Sequence, residues 1–371
     1  MSTISNLLKA SSISLLLVLL ACSEVIDIPV TESGGQLIIS GRVSNSTEGN
    51  YVSVHRTGVL GRPPEPVMNA EVMITDGTGD VQKLITADSG FYKFRTSGFS
   101  GQMGEVYRLE VRLNGQTYYT KAQAMPPLYG HDSLYFELTK TETISTQGVL
   151  VEDDVLKVYM DTQFENTPEE FYVRWDLEEA YTYLGTFLPA SHFPPSGGQV
   201  QCYVTNRLNE QKVFLHNGKV NKAQSIPGQH LFSRPIDKSF QALHYFNVIR
   251  SSLSNDAHRY WSQLDRVVNR QGSIFDAAPA AIRGNVISDL DEEVLGYFEV
   301  VSVDTTRLAV TRNDVPLFFF DECLKRGDDF LRLFTVPVGC VQCLIDQGIV
   351  APQCLDCNVL PGSSYIRPSY F

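Results

Sequence analysis

The segment that most restricts this chain is its start. Leu15, Leu16, Leu17, Val18, Leu19 and Leu20 form an unbroken apolar run, preceded by a single charge, Lys9. A permanent membrane helix needs roughly 20 apolar residues. This run is too short for that and has the length of a signal-peptide core. It closes on Leu19-Leu20-Ala21-Cys22, a lipobox: a leucine three residues before the cysteine, a small residue just before it, and a thiol that can carry diacylglycerol. Residues 1–21 therefore read as a leader, Cys22 as a lipidated first residue, and residues 22–34 as a tether. The alternatives are an ordinary secretory signal with an unrelated cysteine, or a cytosolic amphipathic start. Each buried lipid CH₂ contributes ~0.8 kcal/mol, so a multiply acylated cysteine holds firmly where one chain would not. An anchored chain of this kind needs no membrane-spanning helix.

Export decides how the other cysteines are read. Six follow Cys22: Cys202, Cys323, Cys340, Cys343, Cys354 and Cys357. The two Cys-x-x-Cys pairs at 340–343 and 354–357 have the knuckle spacing of a structural zinc site. Outside the cytoplasm, however, thiols oxidise. Disulfides are the expected state, with zinc or free thiols as alternatives, and six cysteines allow about 15 pairings. Cys202 and Cys323, far apart in sequence, are candidates to pair as the remainder. Residues 337–371 carry little apolar periodicity and need such a staple, worth ~2–4 kcal/mol.

Aromatic residues are abundant, with 17 Tyr and 20 Phe, while long helical patterns are few; this is a β-rich composition. Residues 35–125 read as one β-sandwich. Leu37, Ile39 and Val43 alternate in a first strand, and Ala70 to Thr75 form another, closed by Asp76-Gly77 and Thr78-Gly79. Residues 84–86 and 90–94 follow. Tyr107, Leu109, Val111 and Leu113 then alternate up to Asn114-Gly115, a strong hairpin signal because a type I′ turn needs positive φ at both central residues. Residues 117–119 return.

Met125-Pro126-Pro127 marks a boundary, since proline cannot sit in a central strand. Beyond it, residues 130–336 read as a larger β-rich domain, with strands at 133–138, 156–160, 171–175, 243–250 and within 294–312. A hairpin is expected around Asn217-Gly218. One helix is predicted over about 254–270. Ser254 is its N-cap, Ala257, Tyr260, Trp261, Leu264, Val267 and Val268 share its apolar face, and Gly272 ends it. Its aromatic stripe is expected to be core.

The block His244-Tyr245-Phe246-Asn247-Val248, then Tyr260-Trp261, Gly272-Ser273-Ile274-Phe275-Asp276, Gly284-Asn285-Val286 and Val294-Leu295-Gly296-Tyr297-Phe298 resembles the Bacteroidota lipoprotein family catalogued as domain of unknown function 4249. Cys354-Leu355-Asp356-Cys357 near the end, the Cys202-Tyr203 pair and the N-terminal sandwich agree. The final Tyr370-Phe371 departs from the expected Phe-Trp. The order of motifs in 35–125 is similar to the transthyretin-like or carboxypeptidase-regulatory sandwich, with another immunoglobulin-like sandwich as the alternative. Glu24 and Asp27, close behind Cys22, resemble the surface-export signal of such lipoproteins; a plain solvated tether is the other reading. The family resemblance implies an outer-membrane, cell-surface lipoprotein, with the periplasmic face as alternative. It also implies an accessory of a TonB-dependent transporter. The family carries no established catalytic residues.

The residues themselves add little chemistry. The formal charge of −12 and the absence of a basic patch exclude a nucleic-acid partner. Gly-x-Ser-x-Gly, His-Glu-x-x-His and phosphate-loop motifs are missing, so no catalytic residue, cofactor or metal is assigned. His131-Asp132-Ser133 cannot act as a triad, because neighbours in an extended chain point to opposite faces; it reads as a polar turn. The acidic runs Glu152-Asp153-Asp154 and Asp289 with Asp291-Glu292-Glu293 read as solvated loops rather than calcium sites. Trp175 is expected in the core. Phe187, His192 and Phe193, on a Pro/Gly-rich loop, are the candidate ligand-binding residues, since long loops carrying aromatics are common binding sites. A surface hydrolase with an unmarked carboxylate pair, and an adhesion or envelope-structural module, stand as alternatives to the accessory role.

Overall fold

Leu37 to Ser44 is a strand for a simple reason: its side chains alternate between core and surface, and the inward set is Leu37, Ile39, Gly41 and Val43. The same alternation recurs along the chain. The computed structural model describes residues 35–58, 62–96, 98–144, 148, 150–184, 201–208, 213–269, 282–290, 292–316, 341–354 and 356–371. The strands are β1 (Leu37–Ser44), β2 (Tyr51–Arg56), β3 (Glu65–Pro66), β4 (Glu71–Asp76), β5 (Val81–Thr86), β6 (Phe91–Phe94), β7 (Val106–Leu113), β8 (Gln116–Thr120) and β9 (Gln123–Ala124). They continue with β10 (His131–Ile144), β11 (Leu150–Gln163), β12 (Tyr172–Leu184), β13 (Gln201–Arg207), β14 (Phe214–Asn217) and β15 (Ser225–Pro235). The last are β16 (His244–Leu253), β17 (Val286–Ser288), β18 (Phe298–Val310) and β19 (Ser363–Ser364). Helix α1 is Asn255–Asn269, and a short α2 spans Val341–Asp346. Among the described residues the fold is mainly β, with one long helix where the periodicity predicts it.

The first core lies inside a sheet that folds over on itself. β17, β8, β7 and β4 form one layer; β5, β6, β2, β1 and β18 form the other. Between them pack Leu37, Ile39, Val52, Val54, Val72, Ile74, Leu109, Val111, Tyr92 and Phe298. The β7–β8 turn has positive φ at both Asn114 (51°) and Gly115 (81°), as a type I′ hairpin requires. This sandwich is not built from residues 35–125 alone. β17 pairs with β8, and β18 runs parallel to β1 with Gly41 opposite Phe298 and Ser44 opposite Val301. Two late segments complete it.

β18 also continues the ladder outward. It pairs with β16, β16 with β12, and β12 with β13 and β14. The proline boundary therefore breaks the sequence but not the sheet. On one face of β12, β16 and β18 sits a second sheet, β10-β11-β15. Leu156, Val158, Met160, Trp175, Leu177, Phe240, Phe246 and Val248 fill the gap. On the opposite face lies α1. Ser254 Oγ accepts from Ala257 N–H at 3.2 Å, which is the expected N-cap. Ala257, Tyr260 and Trp261 pack against Tyr172, Leu253, Tyr297 and Val301, so the aromatic stripe is core.

Several local expectations change. Asn217-Gly218 is not a hairpin: β14 pairs with β12, and Gly218 N–H donates to Phe171 O at 2.9 Å. His131-Asp132-Ser133 is not a turn but the start of β10. The alternation still separates the three, with Asp132 buried between two exposed neighbours. Glu152-Asp153-Asp154 lies on β11 rather than in a loop, with its side chains exposed or half-buried. Cys202 bonds to Cys357, not to Cys323. Cys343 and Cys354 are in disulfides too. The Cys202–Cys357 bond draws the C-terminal segment onto the sheet, where β19 pairs with β13, and Phe371 packs edge-on to Tyr203 and Tyr245 at 5.2 and 5.0 Å.

Candidate functional site

Three buried polar clusters hold the layers together. The largest joins four elements. Glu299 on β18 accepts from Arg174 Nη1 (2.8 Å) and Nη2 (3.0 Å), Arg42 Nε (2.8 Å) and Trp261 Nε1 (3.1 Å). Asp176 Oδ2 takes Arg174 Nη2 at 2.9 Å and Arg42 Nη2 at 3.2 Å. The Arg174 guanidinium lies 4.0 Å above the Trp261 ring. Burial alone would raise the Glu299 carboxyl; Arg174 and Arg42 outweigh it and hold the group down at about 2.

In the second cluster, Glu179 accepts from Arg234 Nε at 2.9 Å and Asn206 Nδ2 at 3.0 Å, and its Oε2 lies 3.3 Å from His244 Nε2. Burial again works against the charge, and these partners overcome it, leaving Glu179 at about 2. In the third, Asp132 receives Thr162 Oγ1 (2.6 Å) and Trp175 Nε1 (3.1 Å), and Arg250 Nε is 3.8 Å away. Here burial wins and the carboxyl is raised. Each cluster stitches one layer to the next.

The two lowered carboxyls, Glu299 and Glu179, set the acid limit of the fold, while the raised Asp132 acts in the opposite sense. Glu299 and Glu179 have folded values below the ordinary 4.5, so their contribution is complete above pH 4.5 and is lost as pH falls toward 2. His216, stacked on Phe164 and tilted against Phe171, is lowered by burial, so protonation below about pH 6.5 also favours the unfolded chain. The urea midpoint is expected to fall slightly from pH 7 to 5 and steeply between 4.5 and 3. A midpoint that stays flat to pH 3 would contradict these assignments.

One face of the sheet carries a carboxylate pair. Asp176 and Glu178 are two residues apart on β12 and project from the same side, roughly 7 Å apart along the strand. Burial raises Glu178, while Arg174 and Arg42 overcome burial to lower Asp176. Divergent neighbours of this kind mark many acid–base pairs. Here Asp176 has its charge taken up by two arginines.

The concave site lies elsewhere. A cleft of about 690 Å³ opens at the end of β2 and β6 on the first sandwich. Its wall is aromatic. Tyr51 and Phe91 have ring centroids 5.5 Å apart, and Phe94 stacks on Phe99 at 3.7 Å. Phe91 is 39% exposed, and His55 meets its edge at 5.9 Å. The rim is made by residues of 47–51, 87–91, 93–96 and 98–99. Asn50 fixes them. Its Oδ1 accepts from Ser44 N–H at 2.7 Å, and its Nδ2 donates to Ser46 O (2.6 Å) and Phe99 O (3.0 Å). Ser89 (φ 50°) and Gly90 (φ 80°) turn the chain tightly so that Phe91 emerges outward. Glu48, Asp88 and Lys93 place both signs of charge around the apolar wall. The volume and lining suit a small or extended ligand with a flat apolar face.

Cys22, Cys323, Cys340 and the loop residues Phe187, His192 and Phe193 lie outside the described residues. Trp175 is core, its indole N–H taken by Asp132. In the acidic run of 289–293, Glu292 accepts from Tyr118 Oη at 3.0 Å, and Asp291 lies outside the described residues. Among the described residues no group of three His, Cys, Asp or Glu side chains is placed to hold a metal. No helix among them is long and apolar enough to cross a membrane. The sequence reading did not find the cleft. Its one local signal was Gly90-Phe91, an aromatic on the outward phase of a strand directly after a turn glycine.

Fold and cleft together define a disulfide-bonded, mainly β protein of two fused sandwiches with an aromatic surface cleft. Residues 23–307 match the family model described as a domain of unknown function, DUF4249, and the chain belongs to that family. The match ends within β18, ahead of the disulfide-bonded C-terminal segment. No curated protein matches the chain.

Proposed function

We propose that this protein is a non-enzymatic binding module, anchored by lipid on Cys22 to the outer membrane, facing the cell surface and working beside a TonB-dependent transporter. The observation that carries the binding role is the aromatic cleft of Tyr51, Phe91, Phe94 and Phe99 at the ends of two interior strands, β2 and β6. An aromatic wall offers stacking to sugar rings and apolar side chains alike. The lipobox supports the anchor, and the acidic residues behind Cys22 support surface exposure. Family membership supports the transporter, because such lipoproteins are expected beside these receptors. The test is a pull-down of the tagged, lipidated protein from detergent-solubilised outer membrane. Co-recovery of a TonB-dependent receptor is the expected result; its absence across several growth conditions would end the accessory reading.

A second reading, a surface hydrolase, is favoured by the Asp176–Glu178 pair alone. Their backbone spacing along the strand, roughly 7 Å, is of the order of the carboxyl separation in an inverting glycosidase dyad. The binding role is preferred because Asp176 is already neutralised by Arg174 and Arg42, and because the pair sits outside the cleft.

A further inference from the structure

β10 and β11 form one continuous antiparallel ladder, from His131 opposite Gln163 to Ile144 opposite Leu150. β15 supports β11 only from Val155 onward. The Asp154 carbonyl takes one more bond, from Ile236 N–H at 3.0 Å. Beyond that, neither strand has another backbone neighbour among the described residues. Among the described residues a two-stranded ribbon therefore runs about 13 Å past its last backbone neighbour, at 3.3 Å per residue for residues 150–153. Such a ribbon is marginally stable in water by itself.

Its side chains are not those of an idle solvent loop. Even-numbered residues of β10 continue the core-facing side of that sheet, beyond the edge of the core. At the end stand Ile144, 75% exposed, and Leu150, 61% exposed, directly opposite each other. Behind them Glu142 faces Glu152, and Lys140 faces Asp154. Like charges directly opposite each other on a ladder are unfavourable. Lys140 reaches Glu152 at 2.8 Å, which leaves Glu142 with no described cation. An exposed apolar tip behind a surplus of carboxylate is the complement of an apolar hollow rimmed by lysine or arginine.

We infer that the ribbon end formed by residues 140–144 and 150–154 is a docking arm for a partner protein whose surface presents such a basic-rimmed apolar hollow. An anionic lipid surface would repel the same carboxylates. A second copy of the ribbon would bring like charge to like. The arm is separate from the cleft, so its failure and that of ligand binding are distinguishable.

The test places a photo-crosslinking residue at Leu150 in the full-length lipoprotein in its own cells, with Val81, 52% exposed on β5, as the control position. The expected result is a discrete protein adduct at 150 and not at 81, with a sequenced contact peptide rich in Lys or Arg. It should fall at least tenfold in Glu142→Lys/Glu152→Lys, and to a lesser degree in Glu142→Gln/Glu152→Gln. Equal urea midpoints would show that the variants fold. An adduct to lipid, an adduct to a second copy, an equal adduct at 81, no adduct, or one indifferent to charge reversal would each overturn the proposal.

Discussion

Replacing Glu299 with alanine is expected to destabilise the fold by about 3–5 kcal/mol, the usual cost of stranding a buried charge. The reason is geometric. Glu299 is the common acceptor for Arg174, Arg42 and Trp261, and Arg174 is only 1% exposed. Without it, Arg174 retains Asp176, a half-exposed partner that it already shares with Arg42. Because Arg42 lies on β1, Arg174 on β12 and Trp261 on α1, the loss should loosen both sandwiches and the helix in one transition. Urea unfolding followed separately by tyrosine and tryptophan emission measures this. Glu299→Gln should be milder, since an amide oxygen still accepts. Replacing Arg174 with Met and Glu299 with Leu together should recover much of the loss, because a buried pair often contributes little net stability over apolar residues of similar size. A loss below about 1 kcal/mol in Glu299→Ala would show that the cluster is a solvated pair.

The second large effect concerns the disulfide. Cys202 and Cys357 are 155 residues apart in sequence. Closing so long a loop restricts the unfolded chain substantially, and removing the bond typically costs about 2–5 kcal/mol. The double variant Cys202→Ser/Cys357→Ser avoids leaving one reactive thiol. Its loss should be local as well as global. β19 has two paired positions with β13, and the terminal rings hold by edge contacts with Tyr203 and Tyr245. Arg307 also stacks on Tyr370, at 4.4 Å. Such contacts are weak when not tethered. Limited proteolysis should therefore cut residues 356–371 long before the sheet unfolds, while β12 and β16 stay protected. Unchanged protection of the C-terminal segment would mean that the aromatic contacts suffice without the bond.

Local pattern made much of the fold legible. Alternation found β1, β4, β7, β10, β11 and β16, Asn114-Gly115 gave the hairpin, and Ser254 with the 3.6-residue stripe gave α1. What stayed hidden is non-local. Nothing in Gly41-Arg42-Val43 announces a parallel partner more than 250 residues away, because parallel pairing needs no turn signal. The ion cluster was hidden for the same reason: Arg42, Arg174, Asp176 and Glu299 meet only after β1 and β18 pair. β2 alternates as well as β1, with Val52 and Val54 inward, yet its polar neighbours masked it. The cleft draws on three segments between residues 47 and 99, and no single one reads as a site. The cysteines showed the opposite balance. Disulfides at Cys202, Cys343, Cys354 and Cys357 agree with the expectation drawn from the lipobox, whereas the Cys202–Cys357 pairing depends on how the C-terminal segment returns to β13.

Under the proposed role the protein binds a ligand at the Tyr51–Phe91–Phe94–Phe99 cleft and leaves it unchanged. This is tested most directly by incubating the purified protein with a panel of glycans and peptides, measuring affinity by titration and analysing the recovered ligand by mass spectrometry. At least one ligand should bind, return chemically intact and lose affinity on the order of tenfold or more in Phe91→Ala, the effect of removing a central aromatic anchor. Because Phe91 is partly exposed, that variant should keep its urea midpoint. A ligand returned cleaved, or one that binds Phe91→Ala as tightly as the parent, would contradict the account.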